Sequence, residues 1–141
     1  MTNKKLMKIL LPLVAILFLV ACSSNNSKRP STSVATGTAF IRATLDGNFK
    51  DAEALLLNEP QDKAMFDSYK SYYERLPQDK KQAYKKASYN INTLTDVNDS
   101  TTIINYSNSY MKQPMNIKVV KRDNVWSVDF KYTSADSSIN N

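Results

Sequence analysis

The hydrophobic period of this chain changes once, near Ser88, and that change limits the folds open to it. Upstream, apolar residues recur at helical i, i+3 and i+4 spacing; downstream they alternate. Ser33 is placed to cap a first helix in which Val34, Gly37, Ile41, Thr44 and Leu45 share one face. Gly47 is predicted to end it, because a helix terminus favours a left-handed residue there. Asn48 then caps a short second helix, with Asp51 in a capping-box-like position and Phe49, Ala52, Leu55 and Leu56 on its buried side. Pro60 reads as the end of that helix. A third helix from about Asp62 would bury the stripe Met65, Tyr69, Tyr72 and Leu76. Pro77 breaks it, and Asp79 restarts a turn or two through Lys86.

The second half predicts four strands. Tyr89, Ile91 and Thr93 alternate with polar neighbours in the first; Ile104, Tyr106 and Tyr110 mark one face of the next. Met115, Ile117 and Val119 define the third. In the fourth, Trp126, Val128, Phe130 and Tyr132 alternate with Ser127, Asp129 and Lys131, which places Asp129 on the solvent side. Residues 96–100 and 112–114 supply two connections, and Asp123-Asn124 a tight hairpin turn. Short turns imply antiparallel pairing. The predicted fold is α+β: N-terminal helices packed on a curved four-stranded antiparallel sheet, over residues 34–133. Residues 23–33 are polar and read as a flexible tether, and residues 134–141 as a polar tail.

The segment ahead of the tether has a different logic. Lys4, Lys5 and Lys8 precede an apolar run over residues 9–20, shorter than the roughly 20 residues a bilayer span needs and interrupted by Pro12. The small residue Ala21 then precedes Cys22, the chain's only cysteine. Leu19-Val20-Ala21-Cys22 resembles a bacterial lipobox. The resemblance implies that residues 1–21 are a cleaved signal peptide and that Cys22 becomes an acylated N-terminal residue carrying palmitate-type chains. More than one chain is what stable anchoring requires. It also implies the bacterial cell envelope as the compartment. Ser23 and the lack of an acidic run after Cys22 fit an outer-membrane protein facing the periplasm. The three leader lysines account for half of the net charge of +6, so the mature chain is only mildly basic.

Two further stretches carry a resemblance of their own. Residues 40–56 (FIRATLDGNFKDAEALL) and 119–130 (VVKRDNVWSVDF) are similar to the helix–turn–helix and closing hairpin of nuclear-transport-factor-like, or cystatin-like, domains. With the lipobox, the chain resembles bacterial lipoproteins of a lumazine-binding-like family of unknown function, over residues 34–132. That implies a sheet wrapped as a cone around the helices, and a homodimer formed through the sheet.

Absent residues remove most catalytic chemistries. With no histidine there is neither a Ser-His-Asp triad nor a histidine-ligated zinc. With Cys22 acylated there is no thiolate, and two glycines cannot build a phosphate-cradling loop. Neither a metal nor a cofactor is expected. Carboxylate–tyrosine chemistry remains, with Asp129 and Tyr106 or Tyr110 cast as base and oxyanion donor, but a solvent-facing Asp129 speaks against it. The aromatic residues Tyr69, Tyr72, Tyr106, Tyr110, Trp126 and Phe130 are the candidates for a ligand pocket; packing alone also accounts for them. Lys80, Lys81, Lys85 and Lys86 form a basic cluster without interleaved stacking residues, so nucleic acid is not an expected partner. The function expected is a membrane-anchored, non-catalytic domain that binds a small molecule or a protein. The alternatives are an isomerase-like enzyme with a buried carboxylate, and an assembly component of the envelope.

Overall fold

A computed structural model describes residues 28–135, with side chains described through Thr133. The expected signal peptide, Cys22, the first part of the expected tether and the end of the expected tail lie outside these residues. Four helices precede four strands: α1 (Ser33–Asp46), α2 (Phe49–Ala54), α3 (Pro60–Glu74), α4 (Gln78–Lys86), β1 (Tyr89–Asn98), β2 (Thr101–Asn108), β3 (Pro114–Arg122) and β4 (Val125–Ala135). The strands form one antiparallel sheet in the order β1-β2-β3-β4. The period change near Ser88 thus marks the real boundary between helices and sheet.

Local chemistry sets the helix ends. The cap of α1 is Thr32, whose hydroxyl accepts from the Ala35 N–H at 3.1 Å, one residue before the expected Ser33. Gly47 ends α1 at φ 72°, and the Asn48 N–H reaches back to the Ala43 carbonyl at 2.8 Å in a Schellman arrangement. A Cβ on Gly47 would also stand 2.7 Å from the Tyr73 hydroxyl. Asn48 immediately starts α2, its side-chain oxygen facing the Asp51 N–H and its amide donating to the Asp51 carboxylate. Pro60 does not close α2. It is the first residue of α3, where its missing N–H costs nothing.

Between α2 and α3 the chain runs along the outer edge of β4. The Val128 N–H donates to the Leu55 carbonyl and the Leu57 N–H to the Val128 carbonyl, both at 2.8 Å, making a parallel bridge. The tether is docked at its C-terminal end. Arg29 donates to the Ala54 carbonyl and the Ser127 hydroxyl, each at 2.7 Å, and to the Trp126 carbonyl. The ordered domain therefore begins at least as early as Arg29, ahead of the expected start at residue 34.

The core is aromatic. Phe66 is fully buried and stands edge-on to Phe130, with centroids 5.4 Å apart and planes at 90°. Phe40 and Phe49 approach the same ring at 5.9 Å each. Gly37 lets α1 lie close on the sheet, since a Cβ there would collide with the Ile104 side chain. The α2 face and most of the α1 face are buried as expected, but the buried face of α3 is shifted. Val34, Met65 and Tyr72 are exposed, while Thr36, Phe40, Phe66 and Tyr73 are buried. On α3 the choice between neighbouring stripes goes to Phe66 and Tyr73, because the Phe40, Phe49 and Phe130 rings face that side.

Strand β4 departs most from simple alternation. Opposite β3 its pairing jumps from Lys118↔Asp129 to Asn116↔Ser134, so it bulges between those pairs. The bulge throws Tyr132 outward to 54% exposure, against its expected place on the core face. The strand also continues to Ala135, beyond the expected domain end. Asp129 is buried at 3% exposure rather than solvent-facing, because Lys118 and Lys131 close over it at 3.6 and 3.0 Å. Asp62, also buried, accepts from the Lys131 N–H at 3.1 Å, and Glu59 pairs with Lys131 and Arg122. The start of α3 is thereby tied to the bulge. The hairpin into β4 is as expected, with Asp123 and Asn124 at φ 50° and 61°.

Phe66→Ala should cost about 3–5 kcal/mol, the range for an aromatic removed from a packed core. Urea unfolding checks this. A loss below about 1 kcal/mol would mean that the ring cluster does not hold α3 to the sheet.

Candidate functional site

A cavity of about 380 Å³ opens between α3, α4 and the sheet. Tyr69 reaches it from α3, one turn beyond Phe66, and Tyr84 enters from α4, where it is the only buried residue. Tyr106 comes from the core face of β2 and Phe130 from the β4 bulge. Phe40 and Leu45 of α1 and Met115 of β3 complete the apolar wall. Tyr72 and Met111, 52% and 38% exposed, form part of the rim.

The polar groups in this wall are few and uncharged. The Thr44 hydroxyl donates back to its own helix, with the Phe40 and Ile41 carbonyls at 3.0 and 2.9 Å. The Asn108 side chain closes the β2–β3 turn, its oxygen accepting from the Tyr110 and Met111 N–H groups at 3.1 and 2.8 Å. The Tyr106 hydroxyl faces the Met115 thioether at 3.7 Å. Among the described residues, no Asp, Glu, Lys or Arg lines the cavity.

Burial keeps the phenols neutral. It pushes Tyr84 and Tyr106 up to about 12 from an ordinary 10.0, and the neighbouring phenols add to the effect. Tyr69 is raised further still, by burial first and then by Tyr84 and Tyr106. The mutual influence of these hydroxyls reflects their convergence on one space. They form a cluster of neutral donors and acceptors within aromatic walls.

Four of the six residues expected to form a pocket meet here: Tyr69, Tyr72, Tyr106 and Phe130. Tyr110 lies past the end of β2, in the turn, and stacks against Tyr84 with centroids 4.0 Å apart. Trp126 lies near the start of β4, its ring below Lys121, and does not reach the cavity. Sequence reasoning missed Tyr84, although a lone aromatic among the lysines of QDKKQAYKK marks the inward side of that helix. It also missed Met111 and Met115, which no periodic pattern assigns to the same space as Tyr69.

Asp129 takes no part in this cavity. It belongs to the cluster of Lys118, Lys131, Glu59 and Asp62 that fastens α3 to β4. A second cavity, about 430 Å³, lies beside α1 and α2 under Arg29, with Arg42, Asp46 and Asp51 also in its wall. Its walls carry charges of both signs. Among the described residues no group of three potential metal-ligating side chains comes together, and no helix is long and apolar enough to cross a membrane.

No family model matches the chain, and neither the curated proteins nor the solved structures include a match.

Raising pH should ionise Tyr84 and Tyr106 only near 12. Because their folded values lie above the unfolded one, stability is undiminished below pH 10 and falls between about 10 and 12. Phenolate absorbance followed together with circular dichroism checks this. Ionisation of all the tyrosines by about pH 11 with the fold intact would contradict the burial of these rings.

Proposed function

We propose that this chain is a lipid-anchored envelope protein whose domain is non-catalytic and holds an uncharged, largely apolar small molecule in the tyrosine cavity. One observation carries the reading: an aromatic space of ligand size in which the polar groups among the described residues are neutral. A formal charge entering it would lose its hydration without meeting a counter-charge, so the walls favour neutral occupants. The helices before an antiparallel meander, with the cavity between them, also fit the nuclear-transport-factor-like cone suggested by residues 40–56 and 119–130.

The isomerase reading loses its base. It needs a carboxylate facing the substrate beside a tyrosine donor, and Asp129 instead faces Lys118 and Lys131. An assembly role keeps one supporting feature. The outermost strand β1 leaves Leu94 and Val97 exposed at 49% and 55%, and a homodimer through the sheet would cover them. Leu94→Lys would then leave the chain monomeric at concentrations where the parent sediments as a dimer; equal sedimentation of the two removes this reading.

The anchor rests on the lipobox resemblance and has its own test. In a bacterial host, metabolic labelling with a palmitate analogue should mark the parent chain and leave Cys22→Ser unlabelled. Labelling of both would place the acyl group elsewhere.

For the cavity, the neutral fluorophore N-phenyl-1-naphthylamine should brighten and saturate. Its sulfonated derivative should bind at least roughly tenfold more weakly, because the sulfonate finds no counter-charge. Met115→Trp, which fills the space from β3, should abolish the signal while the domain stays folded. Equal binding of both dyes, or binding that survives Met115→Trp, would contradict the assignment.

A further inference from the structure

The cavity's surroundings are not electrically neutral, although its walls are. The α3–α4 turn, α4 and the β2–β3 turn (residues 75–87 and 109–113) carry six basic residues, Arg75, Lys80, Lys81, Lys85, Lys86 and Lys112, against one acid, Asp79. The remaining described residues hold ten basic and eleven acidic side chains and nearly cancel. The positive charge of the domain is thus concentrated on the elements that supply Tyr84 and Met111 to the cavity. Five of the six basic side chains (all but Lys81) are exposed. Lys112 directly follows Met111, in a turn at φ 56°, and is exposed.

The same end exposes apolar groups. Tyr72 and Met111 are rim residues of the cavity and large hydrophobics open to solvent. Met65 lies on the Tyr72 side of α3, seven residues back, and is 39% exposed. A basic field around protruding apolar side chains suits a surface with anionic headgroups over an apolar interior. An acidic protein would satisfy the lysines and leave the rim unexplained.

We infer that the cavity mouth docks on anionic lipid headgroups, with Lys80, Lys85, Lys86 and Lys112 in the headgroup layer and Tyr72 and Met111 reaching below it. The docked mouth opens toward the membrane, so its occupant is a neutral molecule that partitions into lipid. This inference rests on the cavity reading for its cargo. The docking itself stands on the charge distribution and the exposed rim.

The test uses the mature chain with Cys22→Ser, so that no acyl group contributes, and vesicles of phosphatidylcholine with or without phosphatidylglycerol. Co-flotation should require phosphatidylglycerol and should vanish in about 0.5 M NaCl, where screening shortens to roughly 4 Å. Lys80→Glu/Lys85→Glu/Lys86→Glu should weaken it roughly a hundredfold, at about fivefold per well-placed lysine. Lys28→Glu/Lys50→Glu/Lys121→Glu changes net charge equally, away from the mouth, and should weaken it far less. Tyr72→Ser/Met111→Ser should weaken it with the charge untouched. Equal loss in the two lysine variants would reduce the effect to net charge and overturn the inference. So would binding to heparin with none to vesicles, which would assign the face to a soluble polyanion. Dye binding in the same samples, without vesicles, reports the cavity separately, so either reading can fail alone.

Discussion

The edge-on contact between Phe66 and Phe130 decides where α3 lies, and the position of α3 decides whether there is a cavity. Phe66 is fully buried among Phe40, Phe49 and Phe130, with Tyr69 beside it, so the middle of α3 is fixed on β4. Its N-terminal end is fixed too, where Asp62 and Glu59 engage Lys131. One turn past Phe66 the close packing opens on the Tyr69–Tyr72 side, while Tyr73 stays packed on Phe49 and Tyr84. Tyr69 and Tyr72 then face space across from Tyr84 and Tyr106 instead of another packed layer. The same aromatic residues that hold the domain together thus also wall its opening.

The β4 bulge connects these features. It brings Phe130 to the cavity, sends Tyr132 to the surface and presents the Lys131 N–H to Asp62. Buried acids are costly unless paired. Asp62 and Asp129 share Lys131, and Asp129 has Lys118 as well. In turn, Lys131 is held charged, well above the usual lysine range, by its hydrogen bond to Glu59 and then by Asp129 and Asp62. These groups are consumed in positioning α3. That accounts for a buried carboxylate without invoking catalysis.

Much of this architecture was legible in the sequence, and the failures share a cause. Gly47, Asn48, Pro77 and Asp123-Asn124 act through local backbone chemistry, and each does what its residue type requires. The period change near Ser88 separates helices from strands because periodicity is also local. The rotation of α3 was not legible. On α3 the Met65–Tyr72 and Phe66–Tyr73 stripes are both apolar, and only the rings of other elements select between them. Burial of Asp129 depends on two lysines folding over it and on a bulge that alternation cannot express. The cavity was half legible. Its tyrosines stand out by type, but Tyr84 and Met115 join them only through the tertiary fold.

A neutral aromatic cavity whose mouth sits in the basic end of the domain unites the pocket, the charge distribution and the lipobox resemblance in one account. Native mass spectrometry of the protein purified from its own cells tests the central claim most directly. The account predicts a species heavier than the mature chain by one neutral small molecule, absent from Met115→Trp purified in the same way. A parent protein found only at its bare mass, or an adduct retained equally by Met115→Trp, would contradict it.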